Sequence, residues 1–406
     1  MSSPVALMER TSGDPAPQFV VAALGVAQIL AWGSSYYLLA VLAAPITRET
    51  GWPLPWVVGG ISLGLLTAGP VSPRVGDSIQ RYGGRPVLAF SALLLAMGLA
   101  GLALASSIVV YAAAWVVIGL GMGAGLYDAS FATLGRLYGQ RARTAIATLT
   151  LFGGFASTAC WPLSAFLVSE FGWRGTCLTY AGIHLFVLLP LYLVGLPREP
   201  KRREHGDRPR GDRRGSGVEL RQIAAPFALM AAAITVSSMI STTFSVHLLT
   251  ILQSRGMSLS AAVALGALVG PSQVGARAAE MLVSRYHHPI WTMVGSTVLV
   301  AIGVGSLWMG LPLVAVALVL YGGGIGIESI ARGTLPLALF GQENYAAIMG
   351  RLAMPSLVAQ AASPSLGALL IRHFGSGSTL GVLFTIAVVD LLLATALLAF
   401  LQKRRA

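Results

Sequence analysis

Between residues 121 and 172 the chain carries Gly121-x-Gly123, Tyr138-Gly139-Gln140, Pro162 and Phe171-Gly172. The same signals return in the same order as Gly324-x-Gly326, Phe340-Gly341-Gln342, Pro364 and Phe374-Gly375. The two sets lie 202 or 203 residues apart. Working outward, Gly51-Trp-Pro-Leu-Pro55 pairs with Gly256-Met-Ser-Leu-Ser260, Gly69-Pro70 with Gly270-Pro271, and Arg81-Tyr82 with Arg285-Tyr286, all within an offset of 201 to 205. Each match is weak alone. Their order and near-constant spacing make the chain a duplication of one unit.

The unit is a set of apolar runs. Of 406 residues, 55% are hydrophobic and only 10% charged, with a mean hydropathy of +0.75, whereas a soluble domain carries about a quarter charged residues. A crossing helix takes about 20 apolar residues. Such runs fall near 19–44, 56–77, 86–105, 108–133, 145–168 and 175–196, then near 224–250, 259–281, 289–309, 312–334, 346–371 and 378–401. The reading is an all-α membrane protein of about twelve transmembrane helices in two six-helix bundles. Both halves start on the same side of the membrane, so a parallel pseudo-two-fold axis relates them. The 48 glycines suit helices that approach closely in lipid.

Net charge is +12 and the sequence pI about 10.3. The basic residues lie between apolar runs, so they read as a topology signal and not as a nucleic-acid footprint. Arg81, Arg85, Arg136, Arg141, Arg143, Arg285 and Lys403-Arg404-Arg405 fall on the side of the N-terminus, against Arg48, Arg174, Arg255 and Arg372 opposite. This predicts a multi-pass protein of the cell (inner) membrane with both termini cytoplasmic. The expected division is a cytoplasmic segment 1–18, a bundle 19–196, a basic linker 197–222, a bundle 223–401 and a cytoplasmic tail 402–406. The linker holds nine basic residues and reads as a solvated tether, with anionic lipid headgroups as an alternative contact. The first run, Phe19 to Ala44, is too long for a signal peptide and is expected to stay as the first span. Cys160 and Cys177 show no metal or redox spacing and read as packing residues.

Two six-span halves, a long basic linker and a Gly/Arg loop after span two together resemble the major facilitator superfamily, from about Phe19 to Leu401. The loop reads Gly76-Asp77-Ser78-Ile79-Gln80-Arg81-Tyr82-Gly83-Gly84-Arg85. Gly76, Arg81, Gly83 and Arg85 match the family's pattern, while Gln80 stands at its Asp position and Gly84 at a basic one. The resemblance implies a conformational latch here, with Asp77 one turn earlier as a substitute acid. Span four lacks the Arg of many proton-coupled drug exporters, since Trp115 stands there. Trp173-Arg174-Gly175 and the Gly-rich span four resemble the monocarboxylate and oxalate/formate branch. That branch carries an acid and an Arg four apart in span eight, for proton coupling and carboxylate binding. Arg277 falls on the Arg position and Gln273 replaces the acid.

Ionisable groups inside a membrane are costly, about 2.5–3.5 kcal/mol each at a helix centre on insertion scales, so each needs a partner, a wet cavity or a function. In span eight Gln273, Arg277 and Glu280 share a face. Arg277 can grip a carboxylate through parallel hydrogen bonds, or can pair with Glu280 and merely lock helices. Glu328 and Arg332 stand four apart in span ten, the spacing of a local ion pair. Asp128 and Glu328 are the candidate proton carriers, and Asp390 in span twelve is expected to make a structural hydrogen bond. Tyr36 and Tyr37 in span one, with Gln360 in span eleven, complete the candidate substrate site. Gly and Ser clusters in span one and in span seven (Ser237 to Ser245) are places where these helices can break or bend.

The function expected is a secondary transporter that moves a small organic solute by alternating access, with a carboxylate anion as one candidate and proton coupling as another. It would work as a monomer in the lipid bilayer without cofactor or metal. A drug exporter of the same fold and a non-transporting solute sensor are the alternatives. No nucleophile, base or ligand constellation points to an enzyme.

Overall fold

The computed structural model describes residues 17–199 and 216–403. Residues 1–16, 200–215 and 404–406, which include most of the basic linker and so its expected contacts, lie outside the described residues. The described chain is helical throughout. α1 (Pro17–Gly33) and α2 (Leu39–Thr50) together make the first crossing, followed by α3 (Leu54–Tyr82) and α4 (Gly84–Ala103). α5 (Ile108–Gly125) and α6 (Tyr127–Tyr138) make the fourth, and α7 (Ala142–Gly154), α8 (Ala156–Ile183) and α9 (Leu189–Gly195) complete the first half. The second half runs through α10 (Ser216–Gln253), α11 (Leu259–Gly266), α12 (Val269–Val283), α13 (Pro289–Trp308), α14 (Val314–Phe340) and α15 (Tyr345–Lys403).

Eight helical stretches are long and apolar enough to cross a membrane, and two of them, 88 and 59 residues long, exceed any single crossing. They fold back at glycines with positive φ: Gly139 and Gly172 in the first, Gly375 in the second. Divided there, the eight become eleven, and the α1–α2 pair supplies the twelfth. These turns explain the repeat. Gly51 and Gly256, Gly139 and Gly341, and Gly172 and Gly375 all adopt positive φ, which glycine reaches at little cost. These three duplicated signals are therefore corners of the duplicated bundle, while Gly121-x-Gly123, Pro162 and their mates lie inside helices.

Large apolar side chains such as Phe186, Val194 and Leu392 point outward, as helices solvated by lipid require. Inside, three apolar clusters set the shape. One joins both halves at the end carrying the two termini, through Val20, Ile79, Ile146 and Leu188 of the first and Met230, Leu335, Tyr345 and Met349 of the second. At the far end the halves have separate cores. One is built from the first half around Leu42, Trp115 and Trp173, with Ala361 and Leu357 added from α15. The other, around Phe244, Val304 and Tyr321, belongs wholly to the second half. The halves are closed together at the terminal end and have largely separate cores at the other, where only α15 reaches across. The fold is that of two six-helix bundles about a parallel pseudo-two-fold axis.

Candidate functional site

The site is built where helices break. Residues 34–38 leave the helix between α1 and α2. The Ser34 and Ser35 hydroxyls donate back to the Leu30 and Ala31 carbonyls at 2.7 and 2.5 Å, a competition with the backbone that loosens helices. Ser34 Oγ also lies 2.8 Å from Nε2 of buried His184, at the start of a π-helical turn. A second break falls at Leu126, whose extended backbone separates α5 from α6. The Gly125 carbonyl freed there accepts from Gln28 Nε2 at 2.7 Å, which also donates to Ser130 at 2.9 Å, while Gln28 Oε1 accepts from Trp32 Nε1 at 3.1 Å. Buried Gln28 thus ties the two breaks together. Span seven, where a bend was equally expected, is the unbroken α10.

The breaks gather aromatic rings. Tyr36 and Tyr37 lie 5.3 Å apart, and both pack on Trp32 at 5.2 and 6.1 Å. Trp32 also meets Tyr127, at the start of α6, at 5.1 Å, and Tyr37 meets Trp161 of α8 at 6.2 Å. The Tyr36 hydroxyl lies beside Thr242 of α10, so the cluster spans the halves.

Arg277 of α12 is 6% exposed and close enough for its charge to act on Tyr37 and Tyr127. Its Nε donates to Gly326 O and to Ser329 Oγ, both at 3.1 Å. One Nη donates across the halves to Thr150 O of α7 at 3.0 Å, and the other makes a long 3.5 Å contact to Gln273 Oε1. The guanidinium has five N–H donors, so one hydrogen on each Nη has no acceptor among the described residues. The pairing with Glu280 weighed from spacing is absent: Glu280 accepts from Thr292 at 2.6 Å and lies 3.5 Å from His287 Nε2. Gln273 is thus a first neighbour of Arg277, whereas Gln360, partly buried in α15, is not hydrogen-bonded to this group.

Arg332 corrects another expectation. It turns away from Glu328 and grips Asp128 of the other half, with Nε and Nη2 donating to the two carboxylate oxygens at 3.0 and 2.9 Å, and it donates to Ser356 at 3.0 Å. Asp128 stands in the first turn of α6, where the helix dipole favours a negative charge. Glu328 keeps a buried carboxyl oxygen with no hydrogen-bond partner, within electrostatic reach of Arg332, Arg277 and Asp128. Asp390, 1% exposed, has both oxygens unpartnered, so the structural hydrogen bond expected for it is not found. A buried unsatisfied polar group costs about 1–3 kcal/mol. Asp390→Leu is accordingly expected to raise the melting temperature in detergent and leave uptake unchanged; a lower melting temperature would show that the carboxyl has a structural partner.

Beneath this site the terminal end is sealed. Asp77 lies 3.8 Å from Arg351 of α15 in a half-exposed ion pair between halves. Gln80 donates to the Glu343 carbonyl, Gln140 to Leu337 O at 3.4 Å and Gln342 to Arg136 O at 3.0 Å. The last two are repeat mates, each reaching the other half's helix end. Gly76 meets the backbone of Ala346 and Gly350. Gly83 adopts positive φ at the end of α3, with Arg81 exposed beside it and Arg85 half-buried in α4. The acid that the loop lacks at Gln80 comes from Glu199: its Oε1 accepts from the Gly84 N–H at 3.2 Å and its Oε2 pairs with Arg136, which also donates to the Ile79 and Gln80 carbonyls. Trp115, at the drug-exporter Arg position, packs on Gly60 and Gly64.

Two helical bundles, joined at one end below a group of aromatic rings and a buried cation, have the architecture of a membrane transporter. The chain belongs to the Major Facilitator Superfamily, which it matches over residues 24–350. Over 167 residues it is 30% identical to monocarboxylate transporter 11 of Mus musculus and 29% to that of Homo sapiens, 38% of this chain in each case. These matches take in 34% and 33% of the relatives, so the aligned part is about a third of their length. Among solved structures, the human organic anion transporter MFSD10 (TETRAN) superposes with a TM-score of 0.72 at 17% identity, over 94% of this chain and all of the other. FucP in its outward conformation gives 0.71 at 12%, covering 93% and 98%, and the proton:xylose symporter XylE 0.70 at 13%, covering 92% and 94%. At such identities the likeness is one of fold.

Proposed function

We propose that this transporter moves a small monocarboxylate together with a proton, and that Arg277 receives the carboxylate. The observation that carries the reading is the state of Arg277: buried, held on three sides by neutral acceptors, matched by no carboxylate, and left with one free hydrogen on each Nη. A carboxylate accepts two such hydrogens in parallel. The relatives named for monocarboxylates and organic anions support the same class.

Glu328 is the proposed proton carrier. Asp128 is committed to Arg332 while the terminal end is closed. When the halves part there, Asp128 is drawn away, and Glu328, one turn before Arg332 on α14, is placed to take over the guanidinium. Burying an unpaired carboxylate is costly, so Glu328 carries its proton in the closed state and releases it as it acquires Arg332. With both termini in the cytoplasm of the cell (inner) membrane, as the basic loops propose, the closed end is cytoplasmic and the site opens outward. A single chain holds the complete site, so the monomer is the proposed working unit, its bundles at 19–196 and 223–401.

The test is counterflow and acid-driven uptake of labelled monocarboxylates into proteoliposomes. Arg277→Ala is expected to lower uptake about a hundredfold or more, and Arg277→Lys about tenfold, since lysine keeps charge without the fork. Wild-type rates in both variants overturn the reading, and ligand binding without counterflow turns it into a sensor. Uptake should rise as external pH falls, because protons then enter with the anion down their gradient. Glu328→Gln is expected to flatten that dependence while sparing counterflow; an unchanged slope removes Glu328 from the coupling.

A further inference from the structure

We infer that the site selects aromatic monocarboxylates over aliphatic ones of equal size. This rests on the anion reading of Arg277 and adds what lies beside the charge. The break at residues 34–38 does something a regular helix cannot. Neighbouring positions on a helix diverge by about 100°, yet the Tyr36 and Tyr37 rings meet edge to face at 5.3 Å and share Trp32 as a neighbour. From the other break Tyr127 reaches the same indole, and Trp161 stands edge to face with Tyr37.

Five rings from α1, α6, α8 and the broken segment therefore form one continuous set, backed by Phe131 stacked on Tyr127 at 5.1 Å. The Tyr127 hydroxyl and Arg277 donate to the same Thr150 carbonyl at 3.3 and 3.0 Å, and Tyr37 lies within reach of the Arg277 charge. All five keep part of their area uncovered, Trp161 as much as 46%. A core cluster would bury them fully, as Tyr111, Trp115 and Trp173 are buried at the far end. The uncovered parts of these rings offer offset stacking or edge-to-face contact to a flat π system, worth about 0.5–1.5 kcal/mol per pair beyond area burial. Arg277 fixes one carboxylate at the border of this surface. The described site offers no second guanidinium without a carboxylate, since Arg332 is occupied by Asp128, so the surface receives the ligand's body and not another acid group.

The experiment is calorimetric titration of the full chain in nanodiscs with four probes: benzoate, cyclohexanecarboxylate, pyruvate and benzamide. Benzoate is expected to bind at least about tenfold more tightly than cyclohexanecarboxylate, which matches its carbon count without a π face, and than pyruvate, the gain of about two ring pairs. Tyr37→Leu should abolish the preference over cyclohexanecarboxylate and Tyr37→Phe should keep it. Equal affinities for benzoate and cyclohexanecarboxylate, or tighter pyruvate, overturn aromatic selection while leaving the anion reading standing. Benzamide binding as well as benzoate, or no binding by any carboxylate, overturns the anion reading itself.

Discussion

Gly350→Leu should force the terminal end of the bundle open and cut transport about tenfold or more. A Cβ added at Gly350 would come within 3.0 and 3.1 Å of Gly76 Cα and N, with the Ser72 carbonyl nearer still. These are backbone atoms of α3, which cannot rotate aside as a side chain would. The reverse view agrees: a Cβ on Gly76 meets the Ala346 carbonyl and lies 3.1 Å from Gly350 Cα. The two helices from opposite halves touch through glycine because nothing larger fits, the small-residue packing that lipid-embedded helices use. Overfilling such a contact costs typically about 1–3 kcal/mol, and each ~1.4 kcal/mol is a tenfold change in population. The cost falls only on the closed state, so the balance moves toward the state open at the terminal end. Spin labels at Ser78 and Asn344, on either side of the seal, read the separation directly. A distance distribution identical to that of the unsubstituted chain, together with normal uptake, would mean that the α3–α15 contact is not what holds the end shut. Gly76→Leu should act in the same direction.

The duplicated glycines told where the bundle turns because a positive φ leaves a mark on composition that survives without any tertiary knowledge. Periodicity likewise placed Gln273 and Arg277 on one face. It could not say which partner that face meets. Glu280 was near in sequence, but Arg277 is satisfied by the Gly326 and Thr150 carbonyls, groups every residue possesses and no sequence pattern marks. The same blindness hid Glu199, whose role depends on the chain leaving span six beside the Gly83-Gly84 turn. Only a glycine run marks the break at Leu126, and nothing in the sequence sets Tyr127 or Trp161 apart from other apolar residues. The cross-half pair is close to the repeat register without being in it: Asp128 and Arg332 stand 204 residues apart, one more than the 203 that relates Gly121 to Gly324. A local i, i+4 spacing points Arg332 to Glu328 instead.

The Asp128–Arg332 pair ties span four of one half to span ten of the other. It sits where the two halves' matching helices approach each other, and parting the terminal end must break it. The side chains are only 17% and 15% exposed, and removing one partner of a buried pair typically costs about 3–5 kcal/mol through the charge left behind. The two single variants should differ. Asp128→Asn frees Arg332 to fall back on Glu328, one turn away on its own helix, so part of the loss is recovered and the closed state is the one weakened. Arg332→Gln leaves Asp128 without a guanidinium and strips Glu328 of its future partner, so it should lower both stability and proton-driven uptake more severely. The double variant Asp128→Asn/Arg332→Gln buries no unmatched charge between them and should melt above Arg332→Gln alone. A double-mutant cycle on melting and uptake isolates the pair, with a coupling of at least about 1.5 kcal/mol expected for neighbours in one network. Additive losses would show that the two charges act separately. A cycle performed in the Glu328→Gln background should make Asp128→Asn as damaging as Arg332→Gln, because the fallback partner is then gone.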